Sequence, residues 1–310
     1  MNLSIIIPAY NEEKNIEETI LELFSKVEDI EVINNVEVLV MDDHSSDETL
    51  KVLSKMKDAR VRGVKLSRRS GSHVALRAGL DLCSGDLALC ISADGQDNPE
   101  TLKKMVEKTL EGYNIVWGVR KKRKEPFLKS LFARLFYQLL KSVVGQKDSK
   151  IDLASADFYL LDRKVIEAIK SCGERNTSLF GLIVWLGFAQ AQVRYSRRER
   201  RFGSSKWNFK SRMKLATDWI IGFSGIPLRL ITYVGLLVAS IGFIYALIIL
   251  VLAIMEYTTP GWAETTILLL IIGGIQLVMI GVLGEYLWRN LDESRKRPNY
   301  FIEKDTNQEG

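Results

Sequence analysis

Leu87-Ala88-Leu89-Cys90-Ile91 is an apolar run of strand length that stops at a cluster of oxygen-bearing side chains, Ser92, Asp94, Gln96 and Asp97. In an open α/β sheet, ligands bind just beyond the carboxyl ends of the strands. A carboxylate there can hold a hard divalent cation against a diphosphate, because Mg²⁺ is usually bound by one or two carboxylates plus substrate phosphates. Asp94 and Gln96 are the expected ligands, and Mg²⁺ or Mn²⁺ the expected ion. The same residues also suit an ordinary Asp-Gly turn after a strand, so the rest of the chain has to decide. Asp97 either backs these ligands or caps a helix starting at Pro99, since Asp is a favoured N-cap.

The elements that must position this cluster alternate between strand and helix. Ile5 to Ala9 reads as a buried strand, and Glu12 to Val27 as a helix capped by Asn11. Val36 to Met41 is a second strand, followed by a helix from near Asp47 with Leu50, Leu53 and Met56 on one face. Strands are expected at Val61 to Leu66, Asp86 to Ile91 and Asn114 to Gly118, with helices at His73 to Cys83 and Pro99 to Glu111. This order implies an α/β fold, a mainly parallel sheet covered by helices. Its strand ends share one edge, which brings Pro8-Ala9-Tyr10-Asn11-Glu12 and Asp42-Asp43 beside Asp94 and Gln96. No G-x-G-x-x-G follows the first strand and no G-x-x-x-x-G-K-[ST] occurs, which disfavours a Rossmann dehydrogenase or a P-loop ATPase.

Charge is spread unevenly along the 310 residues. Leu230 to Met255 and Thr265 to Gly284 contain no charged residue, and runs of that length read as membrane spans. Arg212, Lys214 and Arg229 precede the first, Arg289, Arg295, Lys296 and Arg297 follow the second, and the 256–264 loop has no Lys or Arg. The positive-inside rule then places both ends in the cytoplasm. The expected organisation is a soluble domain over 1–207, interfacial amphipathic helices over 208–227, two spans over 228–288 and a cytoplasmic tail over 289–310. The opening Leu3-Ser4-Ile5-Ile6-Ile7 is too short for a signal peptide's apolar region. Cys83, Cys90 and Cys172 lack metal or disulfide spacing, and His44 and His73 lack ligand spacing. The net charge of +5 sits in basic runs near the membrane, where anionic headgroups or a phosphorylated lipid explain it better than nucleic acid.

In this order the motifs resemble glycosyltransferase family 2, with its GT-A fold. Pro8-Ala9-Tyr10-Asn11-Glu12-Glu13 looks like the family's opening nucleotide-binding loop, and Asp42-Asp43-His44-Ser45-Ser46-Asp47-Glu48-Thr49 like its "DDxSxDxT" segment, whose Asp contacts the base. Asp94 and Gln96 match the "DxDxQ" metal motif of the polyprenyl-phosphate branch, that of bactoprenol glucosyltransferases and dolichol-phosphate mannose synthases. Arg197-Arg198-Glu199-Arg200-Arg201-Phe202-Gly203-Ser204-Ser205-Lys206 resembles the branch's "RxxRxxGxSK" loop. Three departures stand out. Ser92 replaces the first Asp of the metal motif, Arg69-Ser70-Gly71 replaces Asn-Phe-Gly, and Ala156-Asp157-Phe158-Tyr159 replaces Gly-Asp-Phe-Arg.

The resemblance implies an inverting glycosyltransferase that moves a sugar from a nucleotide sugar to polyprenyl phosphate at the cytoplasmic face of a bacterial inner membrane. Glucose from UDP-glucose is the first expectation; a mannosyl or amino-sugar donor, or a catalytically weakened binding protein, stays open. Arg120, Arg134, Arg200 and Lys206 are the expected lipid phosphate-binding residues, because guanidinium groups bind phosphate oxygens bidentately. Asp157 is the catalytic candidate beside Asp94. A phosphate monoester is already ionised near neutrality, with a second pKa of about 6, so orienting a substrate is the expected main role of Asp157. The family also suggests a homo-oligomer and a partner flippase. With Ser92 the metal site is one carboxylate short, so weak metal affinity is expected, raised by Ser92→Asp.

Overall fold

The computed structural model describes residues 1–121, 156–174, 178–198, 226–255 and 261–307. The chain forms two compact units, Met1–Leu215 with Pro298–Gly310, and Ala216–Arg297. In the first unit the strands are β1 (Asn2–Ala9), β2 (Asn35–Asp42), β3 (Val61–Leu66), β4 (Leu87–Cys90), β5 (Ile115–Arg120), β6 (Ala156–Asp162), β7 (Gln190–Tyr195) and β8 (Ile302–Asp305). The helices are α1 (Ile16–Val27), α2 (Thr49–Lys55), α3 (Ser72–Leu82), α4 (Thr101–Leu110), α5 (Arg163–Ser171) and α6 (Leu179–Trp185).

These strands make one sheet in the order β7-β5-β6-β4-β1-β2-β3-β8. β1 pairs parallel with both β2 and β4, and β2 parallel with β3. β6 runs antiparallel between β4 and β5, so β5 again points the same way as β1, and β7 pairs parallel with β5. The central strands are buried on both faces, which explains their continuous apolar runs. Ile5, Ile7, Val38, Val40 and Leu89 pack with Ile16, Ile20 and Leu23 of α1, Leu53 of α2 and Leu102 and Met105 of α4. α3 covers β1 and β2, with α5 and α6 beside it. It lies so close to β1 that a Cβ on Gly79 would sit 2.3 Å from Cγ2 of Ile6.

The structure differs from the sequence reading at the first loop. α1 begins at Ile16, not Glu12, and Asn11 does not cap it. Asn11 instead adopts a left-handed turn (φ 53°), and its side-chain oxygen accepts the N–H of Ser46 at 2.9 Å. Asn tolerates that conformation better than most residues.

In the second unit, α7 (Ile226–Ile254) has 29 residues and α8 (Trp262–Ser294) has 33. At 1.5 Å per residue these are about 43 and 50 Å long, against a hydrocarbon core of about 30 Å. Their stretches Leu228–Ile249 and Ile271–Ser294 are long and apolar enough to cross a membrane. The helices touch each other, with Met279 against Gly235. The expected interfacial helices lie outside the described residues, except for the start of α7.

After α8 the chain returns to the first unit as β8, antiparallel to β3. Arg62 donates from Nε to Asp305 at 3.1 Å, Tyr300 donates its hydroxyl to Asp81 at 3.0 Å, and Ser67 N–H bonds the Phe301 carbonyl at 2.9 Å. The Arg62 hydrogen bond holds the buried Asp305 carboxyl below the usual aspartate range. A depressed carboxylate pKa stabilises the fold above the unfolded pKa, and that stability is lost as pH falls through the folded value. Arg62→Ala is therefore expected to lower the Tm by roughly 3–10 °C at neutral pH, from about 1.5–3 kcal/mol for a charge-assisted bond. Thermal unfolding across pH checks this: the gap between variant and wild type should hold above about pH 5 and close below the unfolded Asp value of about 3.9.

Candidate functional site

One edge of the sheet collects the polar clusters. β1 ends at Ala9 opposite Asp42, and β4 ends at Cys90 beside Ile6. β6 is antiparallel to β4, with Tyr159 opposite Cys90, so its first residues lie at the same edge. The β5–β6 register shifts where Gly118 pairs with Phe158 and Val119 with Ala156, leaving Asp157 as the extra residue of a bulge. Bulges re-aim a side chain or end pairing, and they recur beside active sites. β5 and β7 end there too, with Arg120 paired to Tyr195.

Beyond the strand ends the loops have no ladder to satisfy their N–H groups, and polar side chains take over. Asn11 N–H donates to the Ser45 hydroxyl oxygen at 2.9 Å, Glu12 N–H to that of Thr49 at 3.0 Å, and Glu13 N–H to Asp47 at 3.2 Å. The Ser, Asp and Thr of the 42–49 segment thus fix the shape of the first loop. Glu12 is buried and braces that loop through Asn15 at 2.6 Å.

Asp43 accepts the N–H groups of Ser70 and Gly71 at 2.6 and 2.8 Å, which ties the β3–α3 loop to the β2 end. Asp42 is 1% exposed; Oδ1 accepts the Ser45 N–H at 2.9 Å, while Oδ2 is buried with no hydrogen-bond partner among the described residues. Burial pushes both carboxyl groups above the usual aspartate range. An orphaned buried acceptor costs free energy until it meets a donor. Pro8 sits in β1 opposite Met41, and the Arg69 guanidinium stacks 4.0 Å over the Tyr10 ring.

The 91–97 loop is braced from three sides. Gly95 has φ +70°, a conformation that favours glycine. Thr19 of α1 donates to the Ala93 carbonyl at 3.2 Å. Asp94 Oδ1 faces the Ser92 hydroxyl at 2.9 Å and accepts the Gln96 N–H at 3.1 Å. Ser92 also meets Asp97 Oδ2, through its hydroxyl at 2.5 Å and its N–H at 3.1 Å. Asp97 is 3% exposed, and its Oδ1 accepts the Tyr195 hydroxyl at 3.0 Å. Asp97 is thus no helix cap: it ties the loop to β7, while Asn98 accepts the Glu100 N–H ahead of α4. Ser92 stands between two carboxylates with a single hydroxyl proton to share.

The exit of β7 folds onto the same loop. Arg197 Nη2 donates to Gln96 Oε1 at 2.8 Å, and Arg198 N–H to the Gln96 carbonyl at 3.0 Å. Arg198 also pairs with Glu22 and donates to Asn98 at 3.0 Å. One-dimensional spacing gives no sign of these long-range ties, although both arginines lie in the basic run singled out above. Among the described residues no group of three His, Cys, Asp or Glu side chains forms a metal cage. Arg134, Arg200 and Lys206 lie outside the described residues.

Residues 4–169 match the Glycosyl transferase family 2 model, and residues 226–289 match the GtrB C-terminal hairpin. The chain is 39% identical to the uncharacterized glycosyltransferase YkcC of Bacillus subtilis, over 97% of this chain and 93% of that protein. It is 36% identical to the prophage bactoprenol glucosyl transferase homolog of Escherichia coli, over 98% of this chain and 99% of that one. A similar fold occurs in glucosyl-3-phosphoglycerate synthase from Mycobacterium tuberculosis, at TM-score 0.50 and 22% identity, over 71% of this chain and 76% of that one. The sheet with its strand-end site is a GT-A fold, and the chain belongs to glycosyltransferase family 2, as a glycosyltransferase carrying a GtrB-type C-terminal hairpin.

Proposed function

We propose that the protein transfers a sugar, in the first instance glucose from UDP-glucose, to polyprenyl phosphate, undecaprenyl phosphate in a bacterium, with inversion at the anomeric carbon. The observation that carries this reading is the extent of the likeness to the bactoprenol glucosyl transferase homolog, which spans 98% of the chain, strand-end site and hairpin alike. The tail supports a cytoplasmic membrane setting: β8 belongs to the same unit as β1, so a hairpin that spans twice brings both ends to one side. The basic flanks make that side the cytoplasm.

Pro8, Tyr10, Asp42 and Asp43 are assigned to the nucleotide end, with Asn11 and Glu12 holding the loop in shape. The unpartnered Asp42 oxygen suits a donor N–H such as that of the base. A divalent cation fits the 91–97 loop: Asp94 and Gln96 offer hard oxygen ligands, and the Gln96 oxygen already faces a positive group, the Arg197 guanidinium. The lack of a three-ligand cage among the described residues suits an ion that arrives with phosphates. When bound, Mg²⁺ or Mn²⁺ would neutralise charge developing on the leaving diphosphate.

Arg120, with Arg134, Arg200 and Lys206, is assigned to the lipid phosphate. An oxygen of that phosphate attacks the anomeric carbon from the face opposite the nucleotide, the bond to the diphosphate oxygen breaks, and UDP leaves. Asp157, at its bulge beside the β4 end, orients the reactants.

A panel of radiolabelled nucleotide sugars, tested with the full chain and undecaprenyl phosphate in lipid, checks the reading. UDP-glucose should give labelled glycolipid, and Asp94→Ala should lower the rate about 10²–10³-fold, the scale of losing a key electrostatic group. Donor binding without any glycolipid would refute transferase activity. For Asp157→Asn, the deficit should persist at every pH, including where the lipid phosphate is dianionic; recovery at high pH would instead indicate a base. Ser92→Asp should tighten Mn²⁺ binding severalfold in a titration, because it adds a carboxylate ligand. An unchanged affinity would remove position 92 from the coordination sphere.

A further inference from the structure

The tail that follows the apolar hairpin lies in the same unit as the sheet, and it gathers around the proposed nucleotide end. Tyr300 donates its hydroxyl to Asp81 of α3 at 3.0 Å. The Phe301 carbonyl accepts the N–H of Ser67, the residue just beyond β3, at 2.9 Å, and Ile302 pairs with Leu66. Glu303 places Oε2 3.3 Å from Nδ1 of His44 and 3.7 Å from Nζ of Lys65. His44 directly follows Asp42 and Asp43.

His44 has φ +60°, a conformation uncommon outside glycine, although His adopts it more readily than most. Such a backbone costs free energy and persists where its surroundings hold it, often at ligand clamps. The His44 N–H bonds the Asp42 carbonyl at 2.8 Å, which closes a tight turn centred on Asp43. Its ring Nδ1 lies 3.2 Å from the Leu66 carbonyl as well as beside Glu303. Both of these oxygens are acceptors, so Nδ1 carries the hydrogen. This turn sets the two carboxyl groups assigned to the nucleotide. Asp42 keeps Oδ2 buried without a hydrogen-bond partner among the described residues, and Asp43 accepts the N–H groups of Ser70 and Gly71. Those amides belong to the loop that Ser67 opens. The tail therefore braces both walls: the β2 turn through His44 and the β3–α3 loop through Ser67.

We propose that Glu303 and His44 are positioning residues of the donor site, through which the tail completes nucleotide binding. Glu303 acts through His44 on Asp42 and Asp43 and touches no reactant. By linkage, a nucleotide that favours the formed turn also favours the docked tail. This inference rests on the proposed assignment of Asp42 and Asp43 to the nucleotide.

Two measurements on the full chain in lipid nanodiscs test it. The first is UDP affinity with Mn²⁺ present, by calorimetric titration, for wild type, His44→Ala, Glu303→Ala, their double variant, Glu303→Gln and Asp42→Asn. Each alanine variant should weaken UDP binding about two- to fivefold, the scale of a partly exposed pair. The double variant should be no weaker than the single ones, because both remove one contact. Glu303→Gln loses its charge toward Lys65 but keeps an acceptor for Nδ1, and should retain most of the affinity. In turnover, the loss should fall on KM for UDP-glucose rather than on kcat. The second measurement, hydrogen exchange, needs no variant: UDP with Mn²⁺ should slow exchange of the Ser67 amide at least about twofold. Unchanged UDP affinity in both alanine variants, losses that multiply in the double variant, or unaltered Ser67 exchange overturns the proposal while the nucleotide site stands. Wild type that binds no UDP, or UDP binding insensitive to Asp42→Asn, overturns the nucleotide assignment and this inference together.

Discussion

The site depends on the parallel pairing of β1 with β2 on one side and β4 on the other. Parallel strands lie about 4.8 Å apart and end on the same edge. Three loops therefore leave the sheet side by side, each with backbone N–H groups that the ladder no longer serves. Oxygen-rich side chains complete them: Ser45, Asp47 and Thr49 of the loop after β2 serve the loop after β1, Asp43 ties in the β3–α3 loop beyond, and Asp94 and Asp97 close the 91–97 loop. Much of the acidity that marks this edge is engaged in architecture. The oxygens left over are fewer, above all the buried Asp42 Oδ2 that has no hydrogen-bond partner among the described residues.

The positive groups complement this arrangement from the other end of the edge. Arg120 and the β7 exit lie where β5 and β7 stop, and Arg197 and Arg198 reach back to Gln96. In the proposed transfer between two phosphorylated partners, this division would set oxygen ligands for a cation at one station and guanidinium groups for phosphate at the next. β8, which follows the apolar hairpin in sequence, adds an edge strand to the sheet and is bound to β3 by Arg62–Asp305.

Much of this was readable from local pattern. β3 falls at Val61–Leu66 as expected, and β1, β2, β4 and β5 lie within a few residues of their predicted spans, because a doubly covered strand writes its burial as an unbroken apolar run. The strand-end clusters were visible for the same reason. Local pattern failed where a residue answers to a distant partner. Asn11 reads as a cap for the following helix, but Ser46 claims its side chain. Asp97 reads as backing the expected metal ligands or as a helix cap; in the structure it is no cap, and Tyr195 and Ser92 bind it. β6, β7 and β8 escaped notice because all three enter the sheet from far along the chain, β7 is mostly polar and β8 is short and mostly exposed. Ser92 was recognisable as a lost carboxylate; its place between Asp94 and Asp97 was not.

In the proposed reaction this edge joins a nucleotide sugar to a lipid phosphate by a single displacement. The most direct measurement is NMR of the glycolipid made by the purified full chain from UDP-α-glucose and polyprenyl phosphate, with UDP counted alongside. A single displacement gives one UDP per glycolipid and a β-configured glucosyl phosphate. An α-configured product, or UDP released with free glucose and no glycolipid, would contradict it.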